Sequence, residues 1–183
     1  LSLRAILGDP ARRNGDKYSA ALDKGYSFIL SKTQSDGGIY GKGLASYNTS
    51  ICLMALLQRK KPEYKPVILK ARNFLINQQH DFDSRGKNDN VFDGGIGYGA
   101  RWAHSDLSNT HLAMEALFYT KKMIETEEGD KLDLDWKAAI AFVEKCQNLP
   151  GNNKEKWVSE DPSDRGGFVY FPGSSMAGER KLA

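Results

Sequence analysis

Apolar residues recur at helical spacing along three stretches of the chain, 18–33, 65–79 and 134–148, with Ala, Phe, Leu and Ile on one side and charged residues on the other. Each stretch predicts an amphipathic helix with one solvent-facing side. Two further stretches, 46–59 and 106–125, are apolar around more of their circumference near their starts and predict helices buried between neighbours. Both carry an Asn-Thr pair at the start, Asn48-Thr49 and Asn109-Thr110, residue types that favour helix N-termini. The amphipathic helices are expected on the outside and the other two on the inside. Pro62 and Pro66 punctuate one connection, and Glu127-Glu128-Gly129-Asp130 makes a polar turn in another. Segments 80–92 and 149–165, rich in Asp, Asn, Lys and Gly, read as solvated insertions.

The helices belong to a repeat that loops of unequal length conceal. Aligned on a glutamine, Gly25-Tyr26-Ser27-Phe28-Ile29-Leu30-Ser31-Lys32-Thr33-Gln34 matches the segments ending Phe74-Leu75-Ile76-Asn77-Gln78-Gln79 and Phe142-Val143-Glu144-Lys145-Cys146-Gln147. Downstream of each comes a glycine pair, an apolar residue and an aromatic: Asp36-Gly37-Gly38-Ile39-Tyr40, Asp93-Gly94-Gly95-Ile96-Gly97-Tyr98 and Arg165-Gly166-Gly167-Phe168-Val169-Tyr170. The repeating unit is helix, glycine-aromatic turn, helix, and variable insertions on one side are what such an array tolerates. The fold class is therefore all-α, one domain over 1–183 with units at 18–60, 65–125 and 134–183, the last lacking its second helix.

Composition narrows the function classes. A chain of 183 residues, 40% hydrophobic and 27% charged, has the makeup of a soluble globular domain that buries a core without disulfides or metal. No apolar run approaches the roughly 20 residues needed to span a bilayer. Its 26 basic and 23 acidic residues are scattered, without the basic stripe of a nucleic-acid-binding surface. Cys52 and Cys146 sit in apolar-periodic segments without metal-type spacing and read as small core residues, leaving the cellular compartment open. No phosphate-binding loop, dinucleotide fingerprint, serine nucleophile elbow or catalytic carboxylate pair is present, so no cofactor is expected. The chain opens on Leu1 without a charged leader and stops soon after a motif that should introduce another helix, which reads as a trimmed fragment.

The order apolar helix, Gln, Asp-Gly-Gly-aromatic, inner helix resembles the repeats of squalene and hopene cyclases and of protein prenyltransferase β subunits, over most of residues 18–172. The resemblance implies an α/α toroid, incomplete in this chain, whose inner helix ends line an apolar cavity for isoprenoid chains. An apolar isoprenoid is the implied ligand, and the open flank of such a fragment predicts self-association. Tyr40, Tyr98 and Tyr170 would fill the gaps between units and bond backbone through their hydroxyls. Alternatively, aromatic faces would stabilise carbocations, with Trp102, Tyr98 and Phe171 beside the turns as the ligand-binding candidates.

The chemistry that the resemblance implies is not found at the matching positions. Cyclases of this type start from an Asp-x-Asp-Asp acid, whereas the nearest string here, Asp133-Leu134-Asp135-Trp136, opens an outer helix and reads as a cap. Prenyltransferases hold zinc through Asp, Cys and His. Here Asp106-Leu107-Ser108-Asn109-Thr110 puts Asn109 where the histidine would stand, His111 lies about 200° further round the helix, and no Asp-x-Cys string occurs, so no metal site is expected. Asp106, Asn109 and His111, with His104 nearby, remain the candidate catalytic group. Helical toroids also serve polysaccharide lyases, which neutralise a uronate with Asn, His, Tyr and Arg. Tyr98, Arg101, Asn109 and His111 have that chemistry, although Asn48 at the position matching Asn109 points to helix capping for both. Three functions stay open: isoprenoid handling, a non-catalytic binding or scaffold module, and a lyase.

Overall fold

The computed structural model describes residues 1–10, 18–99, 104–125 and 132–175. Its elements are α-helices α1 (Ser2–Gly8), α2 (Ser19–Leu30), α3 (Ala45–Arg59), α4 (Lys65–Ile76), α5 (Leu107–Glu125) and α6 (Trp136–Lys145), with short 3₁₀ turns at Pro62–Tyr64 and Pro162–Asp164. No strand longer than an isolated bridge occurs among the described residues, so the all-α reading holds. The chain divides into two compact units: Leu1–Asn77 with Glu115–Asp133, and Gln78–Met114 with Leu134–Ala183. The predicted polar turn at 127–130 lies outside the described residues.

The amphipathic helices end sooner than their apolar periodicity suggests. Thr33, Gln79 and Gln147 are already extended, each forming an antiparallel bridge with the residue after a glycine pair: Ile39, Ile96 and Phe168. The following N–H groups close the same loop three times, Gln34 to the Gly38 carbonyl at 2.8 Å, His80 to Gly95 at 2.9 Å and Asn148 to Gly167 at 2.7 Å. These bonds correct the alignment on glutamine by one residue in the first repeat, where Thr33 rather than Gln34 matches Gln79 and Gln147. The amides show why. Gln79 Nε2 donates to the Gly94 carbonyl at 2.9 Å and Gln147 Nε2 to that of Gly166 at 3.3 Å, whereas Gln34 Nε2 donates to Lys32 and Tyr40.

The buried helices are tied to the same turns by a hydroxyl. Thr49 Oγ1 accepts from the Ile39 N–H at 2.9 Å, and Thr110 Oγ1 from the Ile96 N–H at 2.8 Å. The neighbouring asparagines are not caps, because each lies inside the first turn. Asn48 donates back to the Gly43 carbonyl at 3.1 Å, and α3 is preceded by Leu44 in the left-handed region, at φ 50°. In the first unit α3 packs on α1 and α4, and its buried face holds Leu53, Met54, Ala55 and Leu56. Tyr26 of α2 is buried against it and donates to the Ala55 carbonyl at 2.9 Å. Its ring stacks on Tyr64 with centroids 6.0 Å apart. Arg72 of α4 is fully buried and reaches α5, donating to the Leu117 carbonyl at 2.7 Å and to Thr120 Oγ1 at 3.0 Å while pairing with Asp133.

In the second unit Leu134, Ala139, Phe142, Cys146 and Ile96 form the apolar core. Asp135 caps α6, accepting from the Ala138 N–H at 2.9 Å. Of the two carboxylates expected to cap, only this one does so. Asp133 serves Arg72 instead. The polar insertions are pinned from beneath by buried side chains. Asp93 accepts from the N–H groups of Phe82 and Asn90, both at 2.7 Å. Asn148 bridges Ser159 and Asp164, and Asn153 bridges Lys145 and Gln147. No helix among the described residues is long and apolar enough to cross a membrane.

Candidate functional site at the start of α5

The first turn of α5 gathers most of the candidate residues. Asp106 lies just ahead of the helix and its carboxylate accepts from the Asn109 N–H at 2.8 Å, the bond that caps an N-terminus, while its second oxygen accepts from Asn109 Nδ2 at 2.7 Å. Both residues are fully buried. The Asp106 N–H donates to the Ile96 carbonyl at 3.2 Å and the Leu107 N–H to that of Tyr170 at 2.8 Å, so the helix start is fastened to two glycine-aromatic turns. Asn109 Oδ1 finds no donor among the described residues.

Two tyrosines complete the polar cluster. The Tyr170 hydroxyl is hydrogen-bonded to Tyr98 and Asp106, and burial, the Tyr98 bond and the Asp106 charge all push its pKa above the ordinary phenol value. It therefore remains a neutral donor at physiological pH. The expectation that the turn tyrosines bond backbone is not met at Tyr170, whose hydroxyl meets side chains. Nor is it at Tyr40, whose hydroxyl donates to the Asp36 carboxylate at 2.6 Å. Cys146 is buried on the α6 side, and its thiol is pushed up to about 12 by burial, with the Asp106 charge adding to it.

An aromatic cluster adjoins this one. Phe171 packs on His104 with centroids 4.8 Å apart and on Phe92 at 5.9 Å, and Tyr170 touches the same ring at 5.8 Å. His80 Nδ1 lies 2.9 Å from Ser105 Oγ, which donates to the Phe92 carbonyl at 2.6 Å. Burial holds His80 below the usual imidazole pKa, with like charge at His104 adding and Asp93 and Asp106 opposing.

Of the sequence-derived candidates, the structure brings Asp106, Asn109, Tyr98, Phe171 and His104 into one region. It places His111 on the exposed side of α5, away from the buried side that carries Asn109. Trp102 and Arg101 lie outside the described residues. Among the described residues no group of three or more His, Cys, Asp or Glu side chains has metal-holding geometry. Ser105, His80 and Phe92 were missed by sequence reasoning, and no local signal marks them, since their partners are brought in by the insertion at 80–92. A separate pocket of about 260 Å³ lies in the second insertion, lined by polar groups including Ser159, Glu160, Asp161 and Arg165.

Chemically, Asp106 is engaged by the backbone and side chain of Asn109 and by Tyr170, and has no exposed surface from which to reach a substrate. Its arrangement orders a helix start. No family model matches the chain, and no curated protein and no solved structure matches it either.

Proposed function

We propose that this chain is a binding or scaffold module built of helix-pair repeats, with the α/α toroid as its architecture and without catalysis at the Asp106 cluster. The observation that carries this reading is the complete burial of Asp106 and Asn109 in mutual and backbone hydrogen bonds. A general acid or base must come within hydrogen-bond reach of the atom it serves. These two groups instead hold the start of α5. The recurrence of the Thr-to-Ile bond at Thr49 and Thr110 supports the same view, because a packing solution repeats whereas a catalytic residue need not.

Incubation with squalene, farnesyl diphosphate and polyuronates, read by mass spectrometry and by ultraviolet absorbance of unsaturated ends, tests it. No product is expected. Turnover abolished by Asp106→Asn in a folded variant would overturn the scaffold reading in favour of an enzyme.

A second reading, an apolar isoprenoid ligand bound without turnover, is favoured by one feature. Phe118 and Tyr119 of α5 are 63% and 57% exposed and meet edge to face at 5.5 Å, a surface suited to an apolar chain. Tryptophan fluorescence titrated with farnesol should then saturate at micromolar ligand, and Phe118→Ala should weaken it at least tenfold. An unchanged signal removes this reading.

A further inference from the structure

Two junctions within the chain are built alike. In the first, α4 crosses the Gly37-Gly38 pair. A Cβ on Gly37 would lie 2.7 Å from the Lys70 carbonyl oxygen, and one on Gly38 would lie 3.1 Å from the Phe74 ring. In the second, α6 crosses Gly94-Gly95 through Ala138 and Phe142. A Cβ on either glycine would come within 2.9 Å of those side chains, with the Ala138 carbonyl closer still. Both rings are buried, Phe74 to 6% exposure and Phe142 to 0%. The rule is one backbone carbonyl over the first glycine and, one helical turn later, a phenylalanine over the second.

Each half of this junction also occurs without its counterpart. Gly166 has the backbone of the other two first glycines, φ +84° against +91° and +82°, yet a Cβ on it would have nothing within 4 Å among the described residues. Among the described residues, a Cβ on Gly167 would meet only the carbonyl of Asp164, in its own loop. Lys24 and Phe28 of α2 stand the same distance ahead of Thr33 as Lys70 and Phe74 stand ahead of Gln79. Phe28 is 63% exposed, with the Lys32 ammonium 5.1 Å from its ring.

We propose that the Gly166-Gly167 turn receives α2 of a second copy of this chain, Lys24 over Gly166 and Phe28 over Gly167. The adjoining positions follow the same rule. Tyr26 and Ile39 are covered by α3, the helix preceding α4, and Arg72 and Ile96 by α5, the helix preceding α6. Their counterparts Ile140 and Phe168 are 50% and 52% exposed. The α1 that precedes α2 in the incoming copy covers them. The contact joins two different surfaces, so it propagates head to tail and does not close as a twofold dimer.

The test uses Phe28→Asp and Gly167→Trp in the whole chain, the first at an exposed side chain and the second at a glycine whose added Cβ meets, among the described residues, only the Asp164 carbonyl of its own loop. Sedimentation of the wild type should show a mass that rises with concentration past twice the monomer, and each variant alone should stay monomeric. Mixed in equal amounts, the variants should form a one-to-one dimer, because one keeps the cradle and the other keeps Phe28. A wild type that stays monomeric up to about 1 mM, association that survives Phe28→Asp, or a mixture that fails to pair would each overturn the proposal.

Discussion

Arg72 and Leu117 are joined by a 2.7 Å hydrogen bond from a fully buried guanidinium to a main-chain carbonyl. Tyr26 makes the matching contact to Ala55 one repeat earlier. A long polar side chain is thus used twice to tie an amphipathic helix to the helix that follows it, and in the second case it carries a charge into the core. Burial lowers the Arg72 pKa, and the pairing with Asp133 opposes that shift. Asp133→Ala would leave the guanidinium buried without its counter-ion and should cost about 3–5 kcal/mol in urea denaturation. The double variant Arg72→Met, Asp133→Ala should regain part of that loss.

The glycine pairs should differ in tolerance. A Cβ on Gly95 meets Ser105 and the Phe142 ring, so Gly95→Ala should destabilise by about 1–3 kcal/mol through overpacking. Gly167→Ala, measured on dilute protein, should stay within about 0.5 kcal/mol of wild type. Equal losses at the two positions in thermal melts would mean that the turns are not packed as described.

Removing a hydroxyl tests the tie between turn and helix. Thr110→Val keeps the shape but strips the buried Ile96 N–H of its acceptor, with an expected loss of about 1–3 kcal/mol. Hydrogen exchange at Ile96 should accelerate along with it.

His80 gives the second unit a dependence on pH. Its folded pKa lies below the usual 6.5, so the unfolded chain binds the proton more readily. The contribution to stability is complete above the unfolded value and is lost as pH falls through it towards the folded value. Melting temperatures should therefore drop below about pH 6.5, and His80→Asn should flatten that part of the profile.

The two thiols should react unequally. Cys146 is fully buried with its pKa pushed up to about 12, whereas Cys52 is partly exposed, with its own thiol raised by burial. Iodoacetamide labelling followed by mass spectrometry should modify Cys52 in the folded protein and Cys146 only on unfolding.

Apolar spacing and glycine placement act over one or two turns of chain and need no distant partner, so α2 to α6, the all-α class and the thrice-repeated glycine turn are legible in the sequence, whereas the seven-residue α1 is too short to show that periodicity. The sequence also marks Asp135 as a cap and Cys146 as a core residue, for the same local reason, whereas Cys52, read alike, is only half-buried. The true register of the first repeat emerges only in three dimensions, since it depends on which N–H meets the Gly38 carbonyl across a loop. Helix periodicity sets Asn109 and His111 about 200° apart, but it does not say which of them faces inward. Burial by the turns at Ile96 and Tyr170 does that, and it makes a helix start of residues whose types suggest catalysis. Arg72 looks in sequence like a surface charge, and it is a core residue because its partners Leu117, Thr120 and Asp133 arrive from distant segments.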